Sequence, residues 1–290
     1  MKGGKFVIER IYVEIGNICN LSCSFCPKTK RKKHQMTESE FDHVCSEVSK
    51  HTENIYLHVM GEPLLHPNLS LFLDTVGHYG MRASITTNGT LISEKEEVLL
   101  SKSENIHKIC ISLHSLEGNG KEEIMEEYLE SACAFAKRAA KKDIFIVFRL
   151  WNGDSEWGNG KNIQNSLIER KLKEIFNEEW QRRRNGYRLD RYIFLEYDGV
   201  FEWPSESTAE REEKGRCHGL FDQIAVLADG SVVPCCLDAD GDITLGNIFE
   251  NTLASILDGE RAARMREGFK SGILTEELCK TCSYRRRFTK

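Results

Sequence analysis

The 290 residues contain no apolar run near the ~18–20 that a membrane-spanning helix needs. They contain no internal repeat and no low-complexity tract. No sign of charge dominates either: 40 Lys and Arg against 45 Asp and Glu leave a formal net charge of −5, which gives no global case for a nucleic-acid partner. The opening Met-Lys-Gly-Gly-Lys lacks a signal-peptide pattern, so a cytoplasmic location with no membrane partner is expected. Disulfides are rare in that compartment, and the 11 cysteines point to metal more than to cross-links. What is present is ordinary for a globular chain, with 40% hydrophobic and 29% charged residues, and the length suits one large domain plus a small one.

One further absence is informative. Cys19, Cys23 and Cys26 form a C-x3-C-x2-C run just after the first strand-like segment, and no fourth cysteine stands in that loop. Three thiolates on one loop can hold three irons of a cubane [4Fe–4S] cluster, leaving the fourth iron open to a substrate or cofactor. An electron-transfer cluster normally has cysteine on all four irons. A structural zinc site is the alternative, but zinc wants four ligands, and the nearest candidate, His34, lies eight residues past Cys26.

Up to about residue 200, short β-type runs alternate with helical stretches. The strand candidates are Ile11–Ile15, Asn54–Val59, Ala83–Thr87, Lys108–Leu113, Ile144–Leu150 and Tyr192–Tyr197, rich in Ile, Val, Leu, Phe and Tyr. Thr37 to Glu40 and Ser93 to Glu96 both fit a helix-opening capping box, and further helices are expected over 121–142 and 162–177. Six β–α units predict an α/β fold, a partial (β/α)6 TIM barrel with its active site at the C-terminal strand ends. Residues 151–161 read as an irregular loop. The domain reading is a core over 1–200, a bridge over 201–216 and a small C-terminal domain over 217–290. That tail holds a β-hairpin, with Ile224–Leu227 and Ser231–Val233 flanking Asp229-Gly230. A helix is expected near 252–267. The tail is too short and too hairpin-based to continue the barrel.

The C-x3-C-x-Phe-Cys motif after strand one of such a chain resembles the radical SAM superfamily, over roughly residues 6–200. The resemblance implies that S-adenosylmethionine (SAM) binds the open iron and is cleaved reductively to a 5′-deoxyadenosyl radical that takes a hydrogen from substrate. It implies roles for Met60-Gly61-Glu62-Pro63, similar to the family's Gly-Gly-Glu motif with Met60 in place of the first Gly, near the SAM amino group. It also implies a mouth position for Thr87 and Asn88. Ser112 is a candidate for the ribose hydroxyls. Arg149, a charge inside the apolar run Phe145 to Leu150, needs a partner, and the SAM carboxylate suits its fork; a structural salt bridge is the rival. His114 also faces the mouth, where a structural role is the ordinary one.

In the tail, Cys217, Cys235, Cys279 and Cys282 resemble a shortened SPASM, or twitch, domain that would hold one auxiliary [4Fe–4S] cluster. Zinc again is the alternative, and Cys236 is an alternate ligand. Cys45, Cys110 and Cys133 are read as core residues. Basic runs at Lys28 to Lys33, Arg182–Arg184 and Arg285–Arg287 read as solvated surface, or as docking sites for a flavodoxin or ferredoxin-type reductant, an anionic substrate or RNA. The overall expectation is a radical SAM oxidoreductase or maturase whose auxiliary cluster accepts an electron. A small alcohol or sugar, a peptide, a protein and an RNA compete as substrate. The lack of a leader-binding domain before strand one weighs against the peptide. A non-catalytic iron–sulfur electron-transfer protein is the reading from another class.

Overall fold

The computed structural model describes residues 8–151, 163–177, 179–199, 201–205 and 210–288. The loop expected at 151–161 therefore lies outside the described residues, Trp151 excepted. Strands β1 (Arg10–Val13), β2 (Asn54–Tyr56), β3 (Arg82–Thr87), β4 (Ile106–Ser112) and β5 (Phe145–Trp151) pair in parallel in chain order. A hairpin of β6 (Gln181–Arg183) and β7 (Gly186–Asp190) precedes β8 (Ile193–Asp198), which pairs in parallel with β5. The expected β–α series thus holds, with an antiparallel edge added beside the sixth parallel strand. Sequence reading misses that hairpin because Gln181 to Arg184 carries charge rather than apolar residues, as an exposed edge strand often does.

Helices α1 (Glu38–Val48), α2 (Leu69–His78), α3 (Ile92–Ser101), α4 (Met125–Ala140) and α5 (Ile163–Phe176) lie between the strands. The strands are not apolar on both faces. Ile11, Val13, Ile55, Ile85, Ile109 and Phe148 are fully buried in one core with Phe41 and Phe72, whose rings stack at 4.1 Å. The alternate residues face a cavity and are largely polar. The period-2 geometry of a strand is what permits this split. Cys45 and Cys133 sit in the core as expected, but Cys110 points the other way, into the cavity.

Thr37 and Glu40 form the expected capping box on α1. The second expected box does not form. Ser93 lies inside α3, its hydroxyl 2.7 Å from that of Ser131, and Glu96 pairs with Arg138 of α4. Gly89, at φ +81°, turns the chain early enough for α3 to begin at Ile92, so side chains meant for a cap reach the neighbouring helix instead.

The tail does not stand apart from the sheet. Strand β9 (Gln223–Val226) adds in parallel to the free edge of β1, followed by antiparallel β10 (Ser231–Val233) and β11 (Gly246–Asn247). An exposed apolar edge at β1 would otherwise leave its backbone groups unpaired. The expected single helix near 252–267 is two, α6 (Leu253–Leu257) and α7 (Glu260–Ser271), separated by the extended backbone of Gly259. Helix α8 (Glu277–Thr281) carries Cys279. No helix among the described residues is long and apolar enough to cross a membrane.

Candidate active site

The loop carrying Cys19, Cys23 and Cys26 leaves the C-terminal end of β1 and is pinned at both sides. Asn88, at the end of β3, donates to Asn20 Oδ1 at 2.9 Å and approaches Cys19 Sγ at 3.8 Å. Asn119, just past β4, donates to Cys23 Sγ at 3.0 Å and accepts from the Ser22 N–H at 2.8 Å. The Ser24 N–H donates to the Gly118 carbonyl at 2.8 Å, and Phe25 packs against His114 and Trp151 with centroids 5.1 and 5.3 Å apart. All three thiols face one cavity of about 970 Å³, which is within the size range of cofactor and ligand sites.

The crossing of two loops explains Gly61. It sits at φ +80°, and a Cβ there would lie 2.3 Å from the Gly16 carbonyl oxygen in the loop after β1. The next residue donates its N–H to the Ile18 carbonyl at 2.9 Å. Gly61→Ala combines backbone strain with a clash and is expected to cost about 3 kcal/mol. A urea midpoint equal to that of the unchanged protein would show that the crossing has slack.

Glu62 is 4% exposed, and its carboxylate works inward. It accepts from the Leu64 N–H at 3.0 Å, the Thr87 hydroxyl at 2.7 Å and the Asn88 N–H at 2.7 Å. Burial pushes its pKa up, and those hydrogen bonds pull it back. Pro63 opens the 3-10 turn that Glu62 caps. Glu62, Thr87 and Asn88 thus form one tie that holds the second and third strand ends against the cysteine loop. Ser112 differs: its hydroxyl makes no hydrogen bond among the described residues and lines the cavity. Arg149 is its register partner on β5 and also lines the cavity. Its guanidinium forms no ion pair within 4.0 Å among the described residues, although the Cys110 thiol and the Glu196 and Asp198 carboxylates stand near enough to raise its pKa against the effect of burial. His114 is structural. Its Nδ1 meets the Arg149 carbonyl at 3.2 Å, its ring stacks on Trp151, and burial holds its pKa down to about 4.

Cys217, Cys235, Cys279 and Cys282 converge from β10, α8 and the segments beside them onto a second, smaller cavity of about 30 Å³. Cys236 is not in that ring. It lines the large cavity instead, beside Tyr12, where burial pushes its thiol up to about 11. Gln223, Leu237 and Tyr284 line both cavities, so one layer of side chains separates them.

The donor sets suit polynuclear clusters. A single zinc takes four short bonds of about 2.3 Å to one centre, whereas a cubane spreads its cysteine ligands over separate irons. The four thiols wall a cavity. Burial raises all four pKa values, those of Cys235 and Cys279 far above the usual thiol value, and neighbouring thiols raise Cys217, Cys235 and Cys279 further. Such a crowd of thiolates needs positive charge between them, which iron supplies.

Two features escaped sequence reasoning. Asn119 carries no sequence signal beyond its place in a polar turn. Glu14 did have one, a carboxylate inside the apolar run Ile11 to Ile15. It is fully buried, takes Arg31 in a two-oxygen ion pair at 2.7 Å, and accepts from the Met60 and Ala228 N–H groups at 3.1 and 2.9 Å. Arg31 also donates to the Ala239 carbonyl at 2.9 Å, while Asp240 accepts from Thr29 and from the Lys30 N–H. The basic run in the loop is therefore part clamp, part surface: Arg31 is tied down, and Lys28, Lys30, Lys32 and Lys33 reach solvent. Among the other runs, Arg285 is buried, Arg286 and Arg287 pair with Glu212 and Asp198, and Arg182 to Arg184 are exposed.

Comparison with known proteins agrees with this geometry. Residues 13–156 match the model of the radical SAM superfamily, and residues 217–283 match an iron–sulfur cluster-binding domain, SPASM. The chain is 23% identical over 285 residues to the S-adenosyl-L-methionine-dependent 2-deoxy-scyllo-inosamine dehydrogenase of Niallia circulans, covering 96% of this chain and 93% of that one. Among solved structures, it resembles BtrN in complex with AdoMet and 2-DOIA, at TM-score 0.57 and 18% identity over 97% of this chain and 94% of that chain. It also resembles Streptococcus suis SuiB bound to S-adenosylmethionine, at TM-score 0.56 and 15% identity over 98% and 75%. At these identities the structural likeness establishes the fold.

Proposed function

We propose that this chain, which belongs to the radical SAM superfamily and carries a SPASM iron–sulfur cluster-binding domain, oxidises a small hydroxylated molecule. When bound, the two kinds of cofactor supply a 5′-deoxyadenosyl radical from SAM and a [4Fe–4S] acceptor for the electron left on the substrate. Cys19, Cys23 and Cys26 hold the first cluster. Cys217, Cys235, Cys279 and Cys282 hold the second. Gly61, with Pro63 setting the turn, lets the backbone at the end of β2 approach the SAM amino group. Glu62, Thr87 and Asn88 keep that backbone in place. Ser112 offers its free hydroxyl to the ribose, and Arg149 offers a two-pronged donor to the carboxylate. Phe25, His114 and Trp151 form an aromatic wall that limits water at the mouth. The N–H donors of Asn119 and Asn88 toward sulfur bias the cluster potential.

The observation that carries the oxidative reading is the shared wall. Gln223, Leu237 and Tyr284 border both cavities, so a substrate in the large cavity lies one side-chain layer from the four-cysteine site. The relative of Niallia circulans, a dehydrogenase by name, supports the same choice. An acidic flavodoxin or ferredoxin-type donor suits the solvent-facing Lys28, Lys30, Lys32 and Lys33 beside the first cysteine loop.

The test is anaerobic reconstitution followed by SAM and dithionite, with 5′-deoxyadenosine read by mass spectrometry. Its formation supports the radical reading. Its absence from protein with a fully loaded first cluster would move the assignment to an iron–sulfur protein without this chemistry. Cys217→Ala tests the second cluster: iron is expected to fall from about eight to about four per chain, with 5′-deoxyadenosine formation retained. An unchanged iron content would remove the auxiliary cluster from the proposal.

A further inference from the structure

The floor of the large cavity is built unlike a packed barrel interior, where branched aliphatic side chains fill the layers. Register places Tyr12, Tyr56, Ser84 and Lys108 in one row across β1 to β4. His58, Thr86 and Cys110 form the row above, between this floor and the level of Ser112 and Arg149. Lys108 is four residues below Ser112 on the same strand, about 13 Å away. This depth leaves room for a molecule below the level of Ser112 and Arg149.

Among the described residues, three buried polar atoms that line this region have no hydrogen-bond partner: Arg10 Nε, His58 Nδ1 and Ser84 Oγ. Natural interiors rarely leave such groups unsatisfied. Lys108 lies over the Tyr56 ring at 5.7 Å, and neither it nor Arg10 forms an ion pair within 4.0 Å among the described residues. The cavity's carboxylates do not offset them. Glu62 is spent on the strand-end tie, Asp198 pairs with Arg287 at 2.6 Å, and Glu9 is exposed at the edge. His58 adds no positive charge: burial, with Arg149 and Lys108 beside it, holds its pKa down to about 3, so it stays a neutral hydrogen-bonding group.

We infer that this floor binds the acidic group of a small hydroxylated substrate, a carboxylate or a phosphate, on Lys108 and Arg10, with His58 and Ser84 hydrogen-bonding its hydroxyls. The inference rests on the oxidative reading for what happens above the floor, but the binding itself does not depend on turnover.

Titration calorimetry on the reconstituted, SAM-loaded protein tests it with four probes: gluconate, sorbitol 6-phosphate, neutral sorbitol and cationic glucosamine. At least one of the two anions is expected to bind about tenfold or more tighter than sorbitol, the worth of one charge-assisted hydrogen bond, and the tighter anion identifies the acid. Lys108→Met should erase that preference, and Lys108→Arg should keep most of it. If the Met variant does not fold, Arg10→Gln carries the same expectation. Equal affinity for anions and sorbitol, a preference for glucosamine, or an anion preference that survives both neutral substitutions would overturn the inference. Measuring 5′-deoxyadenosine in the same preparation keeps the two readings apart. Turnover without an anion preference removes the floor assignment alone. An anion preference that depends on Lys108 supports the floor whether or not 5′-deoxyadenosine forms.

Discussion

Cys23→Ala is expected to reduce 5′-deoxyadenosine formation below detection and to lower bound iron from about eight to about four per chain. Two thiolates and an open loop cannot hold a cubane whose fourth iron must stay free for SAM. The change is local. Cys23 is half-buried, and its substitution removes only the 3.0 Å donation from Asn119 and a long, 3.9 Å approach to the Ser115 carbonyl. The melting temperature of the metal-free protein should therefore move by no more than about 2 °C. Cys45→Ala serves as the comparison: Cys45 is fully buried in the helix-side core, so it should lower stability and leave the iron count alone. The cluster assignment fails if Cys23→Ala retains both its iron and its 5′-deoxyadenosine.

Glu14→Ala is expected to be the most destabilising single change at the site. It leaves Arg31, whose side chain is 11% exposed, without its carboxylate, and it strips the Met60 and Ala228 N–H groups of their acceptor. Breaking a buried pair from one side costs about 3–5 kcal/mol, or roughly 10 °C in melting temperature for a chain of this size. The loss should extend to function, because Arg31 and Asp240 tie the end of the cysteine loop to the tail. Slower iron loading of the first site is the measurable sign. Arg31→Ala behaves differently with pH. Burial places the folded-state pKa of Glu14 above the ordinary 4.5. A raised carboxyl pKa favours folding below the unfolded value, and the advantage is lost as pH rises through the folded value. The Arg31→Ala deficit should then be greatest at pH above the folded pKa and shrink as pH falls toward 4.5. A Glu14→Ala/Arg31→Ala double variant destabilised by the full sum of the two single losses at every pH would show that Glu14 and Arg31 do not act as a pair.

The β–α series and the two cysteine groups were legible because each leaves a local mark. Apolar runs of strand length, a capping box at Thr37 and close cysteine spacings are all properties of short segments. The same locality explains the misses. Ser93 to Glu96 has the composition of a cap, but α4 lies near enough to claim both side chains. The tail is legible as a C-terminal domain, but nothing in Gln223 to Val226 announces that the free edge of β1, over two hundred residues earlier, will accept its strand. Cys110 and Cys133 look alike in sequence, and only the strand's alternation against a cavity separates the thiol that lines it from the one in the core.

The sequence therefore carried the basis of the proposed chemistry: which thiols can gather, and that the first loop offers a cubane three thiolates rather than four. The tertiary structure decided the setting. It committed Glu62 and Thr87 to a tie between strand ends, set Ser112 and Arg149 on the cavity wall, turned Cys236 away from the four-cysteine ring, and brought the two cavities to a common wall. Each of those outcomes depends on contacts between residues far apart in the chain, where direction and distance are set by sheet register and packing rather than by residue type.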